Sequence, residues 1–228
     1  CGFIGSHLVR KLVDNNFDVT VVDDMSSGNL ENLYEKDLSF RSIHPGLVSA
    51  YFANKKETDK DVIVITGDFV SREVLNHFIE GDYTHVFHLA ANPRVEFSVK
   101  NPAISTEANL MKSVELLSAC RKTNIKKFIF ASSSAVYGSG PNELGVEALE
   151  RDTSHHPNSP YGLQKLVCEM FMKQFNELYN LKSVALRFFN VYGPGCYGDS
   201  PYATAIAAWC DKIKRGEPLR SDGDGEQT

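Results

Sequence analysis

The sequence predicts an α/β protein built on a doubly wound parallel sheet. Two observations carry this reading. Short apolar or β-branched runs at 19–22, 62–65, 86–89, 128–131 and 184–188 alternate with stretches of helical periodicity, the pattern of successive βαβ units. Several of these runs end in acidic, hydroxyl or small residues, as strands do where an open α/β sheet meets its ligands.

In chain order, residues 6–15 read as a helix with Leu8, Val9, Leu12 and Val13 on one face. Strand 19–22 ends at Asp23-Asp24. Patterning is weak from Asp24 to Asp61, where 30–38 and 47–54 are candidates for short helices in an insertion. Strand 62–65 ends at Thr66-Gly67-Asp68, and Ser71 is placed to cap a helix through Ile79. Strand 86–89 ends at Ala90-Ala91-Asn92-Pro93. Pro102 opens a helix to about Lys122. Strand 128–131, helix 161–179, strand 184–188 and helix 202–214 follow, the last closed by Gly216 and Pro218. The chain starts at Cys1 inside a glycine-rich turn and stops at a turn-like Gly-Asp-Gly-Glu-Gln-Thr. It is therefore expected to be a piece of a longer protein, with the first strand of the sheet lying before residue 1.

Composition narrows the function. The 228 residues suffice for one large α/β domain, or one domain and part of another. A net charge of −5 without a basic run argues against nucleic acid as a partner. No apolar stretch approaches the roughly 18 residues of a membrane span, and no signal-peptide pattern is present. The five cysteines (Cys1, Cys120, Cys168, Cys196, Cys210) lack Cys-x-x-Cys spacing, so no structural zinc or disulfide framework is expected. A reducing, cytoplasmic setting fits best.

The most informative pair is Tyr161 and Lys165. Four residues apart, they share one helical face. An ammonium beside a phenol favours the phenolate. Tyr titrates near 10, so a base at neutral pH needs that value lowered by about 3, worth about 4 kcal/mol, a shift that a nearby Lys and a cationic cofactor are expected to supply together. Upstream, the apolar run 128–131 ends in Ser132-Ser133-Ser134. A hydroxyl there is placed to bond a reacting oxygen beside Tyr161, although a plain serine-rich loop reads the same way. Gly2-Phe3-Ile4-Gly5 runs straight into a helix, where glycines admit a pyrophosphate and the helix N-terminus attracts its charge; a tight turn is the bland alternative. Asp23 ends the next strand, near the spacing of a ribose-binding acid, and no Arg follows Asp23-Asp24 closely, which favours NAD over NADP. Asp68, with Phe69 after it, either reaches an adenine edge or caps the helix at 71. Leu89-Ala90-Ala91 suits a backbone against a ribose, or close helix packing.

Together, Gly2–Gly5, Asp23, Ser133 with Val136-Tyr137-Gly138, Tyr161/Lys165 and Leu186-Arg187-Phe188-Phe189-Asn190 resemble the extended short-chain dehydrogenase/reductase family. The nearest group is the NAD-dependent nucleotide-sugar epimerases, of the UDP-glucose 4-epimerase type. The resemblance implies a Rossmann-like NAD-binding domain over 1–190 and the beginning of a smaller substrate lobe over 191–228. Gly2 and Gly5 match the second and third glycines of the family's Gly-x-x-Gly-x-x-Gly. It implies Ser133 as the catalytic hydroxyl, Tyr161 as the base and Lys165 as its partner at the nicotinamide ribose. It further implies Asn109 near the cofactor, Phe189 at the nicotinamide and Asn190 at the substrate diphosphate. A homodimer through helices 102–122 and 161–179 is implied as well.

Members of that family share a first step in which a phenolate takes a hydroxyl proton while hydride passes to NAD. Dehydratases carry an Asp-Glu pair directly after the catalytic hydroxyl, and decarboxylases a Glu at the second position. Here those positions are Ser134 and Ala135, so neither is a carboxylic acid-base. A 4-epimerase acting on a UDP-sugar is expected, with 4,6-dehydratase or UDP-glucuronate decarboxylase as alternatives. A non-enzymatic NAD-binding regulator is the rival from another class, and such proteins usually lose the Tyr and Lys that are present here. Arg94 is a candidate for a sugar carboxylate, or else a solvated partner of Glu96.

Overall fold

A computed structural model describes residues 1–34, 36–56, 61–138, 150, 156–196 and 205–219. In chain order the helices and strands are α1 (Phe3–Asp14), β1 (Thr20–Asp23), α2 (Glu31–Tyr34), β2 (Phe40–Ile43), α3 (Val48–Asn54), β3 (Val62–Thr66), α4 (Arg72–Glu80), β4 (His85–His88), α5 (Val95–Lys100), α6 (Pro102–Thr106), α7 (Lys112–Cys120), β5 (Lys127–Ser133), α8 (Pro160–Tyr179), β6 (Ser183–Phe188) and α9 (Ala205–Arg215). A π-helical turn, Glu107–Met111, joins α6 to α7. The expected α/β class and its parallel winding are present.

The strands form two three-stranded sheets, in the orders β1-β3-β2 and β4-β5-β6. Both ladders of the first sheet are parallel, with Thr20 opposite Ile63 and Phe40 opposite Val62. Val62, Ile63, Val64 and Ile65 are all buried, because β3 has a strand on each side and apolar cover on both faces. One face packs with Val9, Leu33 and Leu38, the other with Ile43, Val48 and Val74. Each fully buried aliphatic side chain contributes about 1.5–3 kcal/mol.

Three differences from the sequence reading have physical causes. Strand β2 falls inside the weakly patterned insertion and was not expected. Its Phe-Arg-Ser-Ile has only its end residues apolar, and it gains its place by pairing with β3. The helix opened by Pro102 is interrupted by the π turn, which buries Asn109. Ser71 is the N-cap of α4, but its side chain makes no cap bond, and Ser71 Oγ finds no partner among the described residues. Helix 202–214 is present as α9 from Ala205, its first three expected residues lying outside the described ones.

The chain divides into two compact units. The first comprises Cys1–Ala90, Lys112–Ile129 and Met172–Val184; the second comprises Ala91–Met111, Phe130–Phe171 and Ala185–Thr228. Thus β5, α8 and β6 contribute residues to both.

Candidate active site

In the first unit, Gly2 caps α1 with an extended backbone (φ −78°, ψ −178°). No side chain caps this helix and no acidic residue lies in its first turn, so its leading amides and positive dipole end suit an anion. A Cβ on Gly2 would meet nothing within 4 Å, which leaves room over the turn. A Cβ on Gly5 would touch Leu89 Cδ1 at 3.8 Å, so α1 begins against the end of β4. Asp23 is at the same place: its Oδ2 lies 2.9 Å from the Cys1 nitrogen, and Oδ1 accepts from Met25 N at 2.9 Å. Gly28 lies against this carboxylate so closely that a Cβ would fall 2.7 Å from Oδ2. Gly28 was not among the expected site residues, and a glycine soon after a strand-end acid is the sequence signal that marks it. The glycine turn, Asp23 and Leu89 are therefore brought together, and they fit a dinucleotide's pyrophosphate and ribose.

Asp68 is engaged differently. Its Oδ1 accepts from Val70 N at 3.1 Å and its Oδ2 from Lys112 at 2.5 Å. It forms a turn before α4 and does not cap that helix, a position held by Ser71. Phe69 packs its ring against buried His88, at 5.0 Å between centroids. Asp24 accepts from Ser26 N and shapes the loop after β1. Ala90, after β4, is exposed.

In the second unit, β5 delivers Ser133 and α8 delivers Tyr161 and Lys165. Helix α8 starts where it does because Ser159 Oγ accepts from Gly162 N at 3.1 Å and Pro160 occupies the first helical position. The Tyr161 amide donates to Ser98 Oγ of α5 at 3.1 Å, and Ser98 is fully buried. Ser133 caps a 3-10 turn, Ser134–Tyr137, by accepting from Ala135 N. The Ser133 side chain is close enough to the Tyr161 phenol to favour its ionised form. Lys165 Nζ donates to Ala131 O at 2.7 Å, lies 4.5 Å over the Phe130 ring and stands 5.8 Å from the Tyr161 ring centroid.

Burial decides the electrostatics. It pushes the Tyr161 phenol above its ordinary value, opposed by the Ser133 hydrogen bond. It pushes the Lys165 ammonium down to about 8. Lys165 by itself therefore does not bring the phenol down, and the shift expected from a lysine together with a cationic cofactor leaves the cofactor to contribute. The ammonium is held on a carbonyl, and the desolvation of a phenolate outweighs its attraction.

Asn109 makes a structural clamp. It accepts from Asn92 N (2.7 Å), donates to Asn92 O (3.0 Å) and donates to Gln164 Oε1 (2.9 Å), tying the loop after Ala91 to the residue beside Lys165. Gln164 and Ser98, unmarked in the sequence reading, do as much to set α8 as the residues it named. Phe189 lies near Tyr137, at 6.2 Å between ring centroids, and both Phe189 and Asn190 are exposed. Glu96 is paired with Lys100 at 2.6 Å, and Arg94 contributes only a weaker attraction to it. No group of three metal-ligating residues occurs among the described residues.

The model of the NAD dependent epimerase/dehydratase family matches residues 1–228. Among solved structures, the chain is similar to a UDP-N-acetylglucosamine 4-epimerase from Methanobrevibacter ruminantium (40% identity, TM-score 0.80, 99% of this chain and 64% of that one). It is also similar to a UDP-glucose 4-epimerase from Thermus thermophilus solved with NAD (31% identity, TM-score 0.77, 98% of this chain and 65% of that one). A UDP-glucuronate 4-epimerase of Arabidopsis thaliana is 31% identical over 220 residues, 96% of this chain and 46% of the relative. The chain therefore spans less than two thirds of each of these relatives.

Proposed function

The chain belongs to the NAD dependent epimerase/dehydratase family, and on that premise we propose that the full-length protein is an NAD-dependent 4-epimerase of nucleotide-diphosphate sugars, with UDP-sugars as substrates. The observation that carries this reading is the placing of the Ser133 side chain beside the Tyr161 phenol, followed by a turn whose next two residues, Ser134 and Ala135, have no carboxylate.

Gly2, Phe3, Ile4 and Gly5 would hold the pyrophosphate, Asp23 and Asp24 the adenosine ribose side, Asp68 and Phe69 the adenine side, and Leu89, Ala90, Ala91, Asn109, Lys165 and Phe189 the remainder. When bound, NAD would supply an acceptor for the C4 hydride and its return, and a positive charge at the nicotinamide. Tyr161 Oη takes the proton of the C4 hydroxyl and later gives it back, a role worth about 100- to 10,000-fold in rate. Ser133 Oγ holds the same oxygen. Lys165, at its reduced basicity, stays cationic up to about pH 8 and supports the phenolate. Asn190 meets the diphosphate, and the segment 191–228 begins the lobe that encloses the sugar. With Ser134 and Ala135 directly after Ser133, neither of those positions can remove water from the keto sugar, which returns to an alcohol.

The assay is direct. Full-length protein should interconvert UDP-glucose and UDP-galactose, or their N-acetyl or uronic forms, without added reductant. Release of a 4-keto-6-deoxy sugar or of CO₂ would refute the epimerase.

Two further parts of the reading concern setting and assembly. The five cysteines are all free, in keeping with a cytoplasmic protein, and no helix among the described residues is long and apolar enough to cross a membrane. In the second unit, Ile104, Met111, Leu163 and Met170 are exposed along α6, the π turn and α8, an apolar surface suited to a second copy of the chain. Light scattering should give a dimer, and Leu163→Glu with Met170→Glu a monomer; an unchanged mass would remove these helices from the interface.

A further inference from the structure

The Glu169 carboxylate joins three elements of the second unit. It accepts from Ser132 Oγ at 2.5 Å, from Arg187 Nε at 3.1 and 3.3 Å, and from Arg187 Nη2 at 2.7 Å. Arg187 also hydrogen-bonds the Tyr137 side chain and stands 4.8 Å over its ring. Both members of the ion pair are 13% exposed. Neither belongs to the reaction as described above.

The neighbours of these residues along the chain are what matter. Ser132 precedes Ser133. Tyr137 ends the turn that Ser133 caps. Glu169 lies one helical turn beyond Lys165 and two beyond Tyr161, on the same face of α8. Arg187 is followed closely by Phe189 and Asn190. A carboxylate and guanidinium taken out of water lose much of their attraction to desolvation, so such a pair is a weak source of net stability. A two-pronged Arg–carboxylate bond does fix a geometry, in distance and in rotation.

We propose that Glu169 and Arg187 are positioning residues: their ion pair sets the rotation and height of α8 against the ends of β5 and β6, and so holds Tyr161 on Ser133 and Asn190 in place. This rests on the epimerase reading above. The pair touches no reacting atom. Its effect is to keep the proton-transfer pair within reach, where a tolerance near 0.5 Å separates an efficient site from a loose one.

The experiment uses full-length enzyme with Glu169→Gln, which keeps volume and an acceptor but removes the charge, and Arg187→Lys, which keeps the charge but removes the fork. Each should lower kcat by roughly tenfold or more, with sugar KM and bound NAD close to those of the parent. The double variant should lose little more than either single one, because the two act as a unit. Crystal structures should show the Ser133 Oγ–Tyr161 Oη distance lengthened by about 0.5 Å. Near-parental kcat in both folded variants, a loss confined to KM, or an unchanged Ser133–Tyr161 distance would overturn the proposal. So would failure of both variants to fold, which would assign the pair to stability. If the parent enzyme turns over no nucleotide sugar, the epimerase reading fails, and the Ser133–Tyr161 distances then decide the positioning role alone.

Discussion

Tyr161→Phe is expected to lower the kcat of the full-length protein by at least about 100-fold, with NAD still bound. Tyr161 is 8% exposed and α8 is anchored through the backbone, by Ser98 on the Tyr161 amide and Ser159 on Gly162, so phenylalanine keeps the packing and the helix start. What it removes is the phenolic oxygen beside Ser133, and with it the base. Single-turnover and steady-state rates on UDP-glucose, with the NAD content of the purified protein, check this. A rate within a few fold of the parent would take Tyr161 out of the acid-base role.

The same geometry fixes a pH dependence. Burial raises the Tyr161 phenol, so the base form gains as pH rises, and kcat/KM should climb with pH. Lys165 loses its proton near 8, and with it the charge that favours the phenolate, so the gain should level off there. A rate falling steadily from acid to alkaline pH would contradict both assignments.

Gly162→Ala is expected to be costly for a reason the helix itself does not predict. In the interior of an ordinary exposed helix, alanine is better than glycine by about 1 kcal/mol. Here an added Cβ would stand 2.5 Å from the Ala135 carbonyl oxygen and 3.1 Å from Pro157 Cβ. The first of these is a backbone atom of the turn that Ser133 caps, so α8 and that turn must part. Overpacking of this kind costs about 1–3 kcal/mol, which outweighs the propensity gain. Because the shift separates Tyr161 from Ser133, kcat should fall by roughly 100-fold. Thermal melts and kcat on full-length protein test this. A raised melting temperature with unchanged kcat would show that the helix accommodates the methyl group.

Much of this site was legible from residue type and spacing. Tyr161 and Lys165 had to share a face once α8 formed, since the helical repeat leaves no choice. The start of that helix is held by Ser159 and Pro160, residue types suited to a cap and to the first helical position. The glycine turn running into α1 and the acid ending β1 are local features, set by backbone conformation and strand length. The buried run of β3 was equally readable, because four consecutive aliphatics belong inside. By contrast, β2 was invisible. Its middle residues, Arg41 and Ser42, are exposed, and only the neighbouring strand makes a strand of it.

By itself, then, the sequence determined the class of fold, the helix that carries the tyrosine and lysine, and the chemistry those side chains permit. Tertiary structure decided their state. Whether Lys165 lowers or fails to lower the Tyr161 pKa depends on how much water each has lost and on which carbonyl holds the ammonium, and neither quantity is local. The same holds for Glu169, Arg187 and Asn109, each of which finds a partner 17 or more residues away. A polar side chain states what it can bond, and only the packed chain determines which partner arrives.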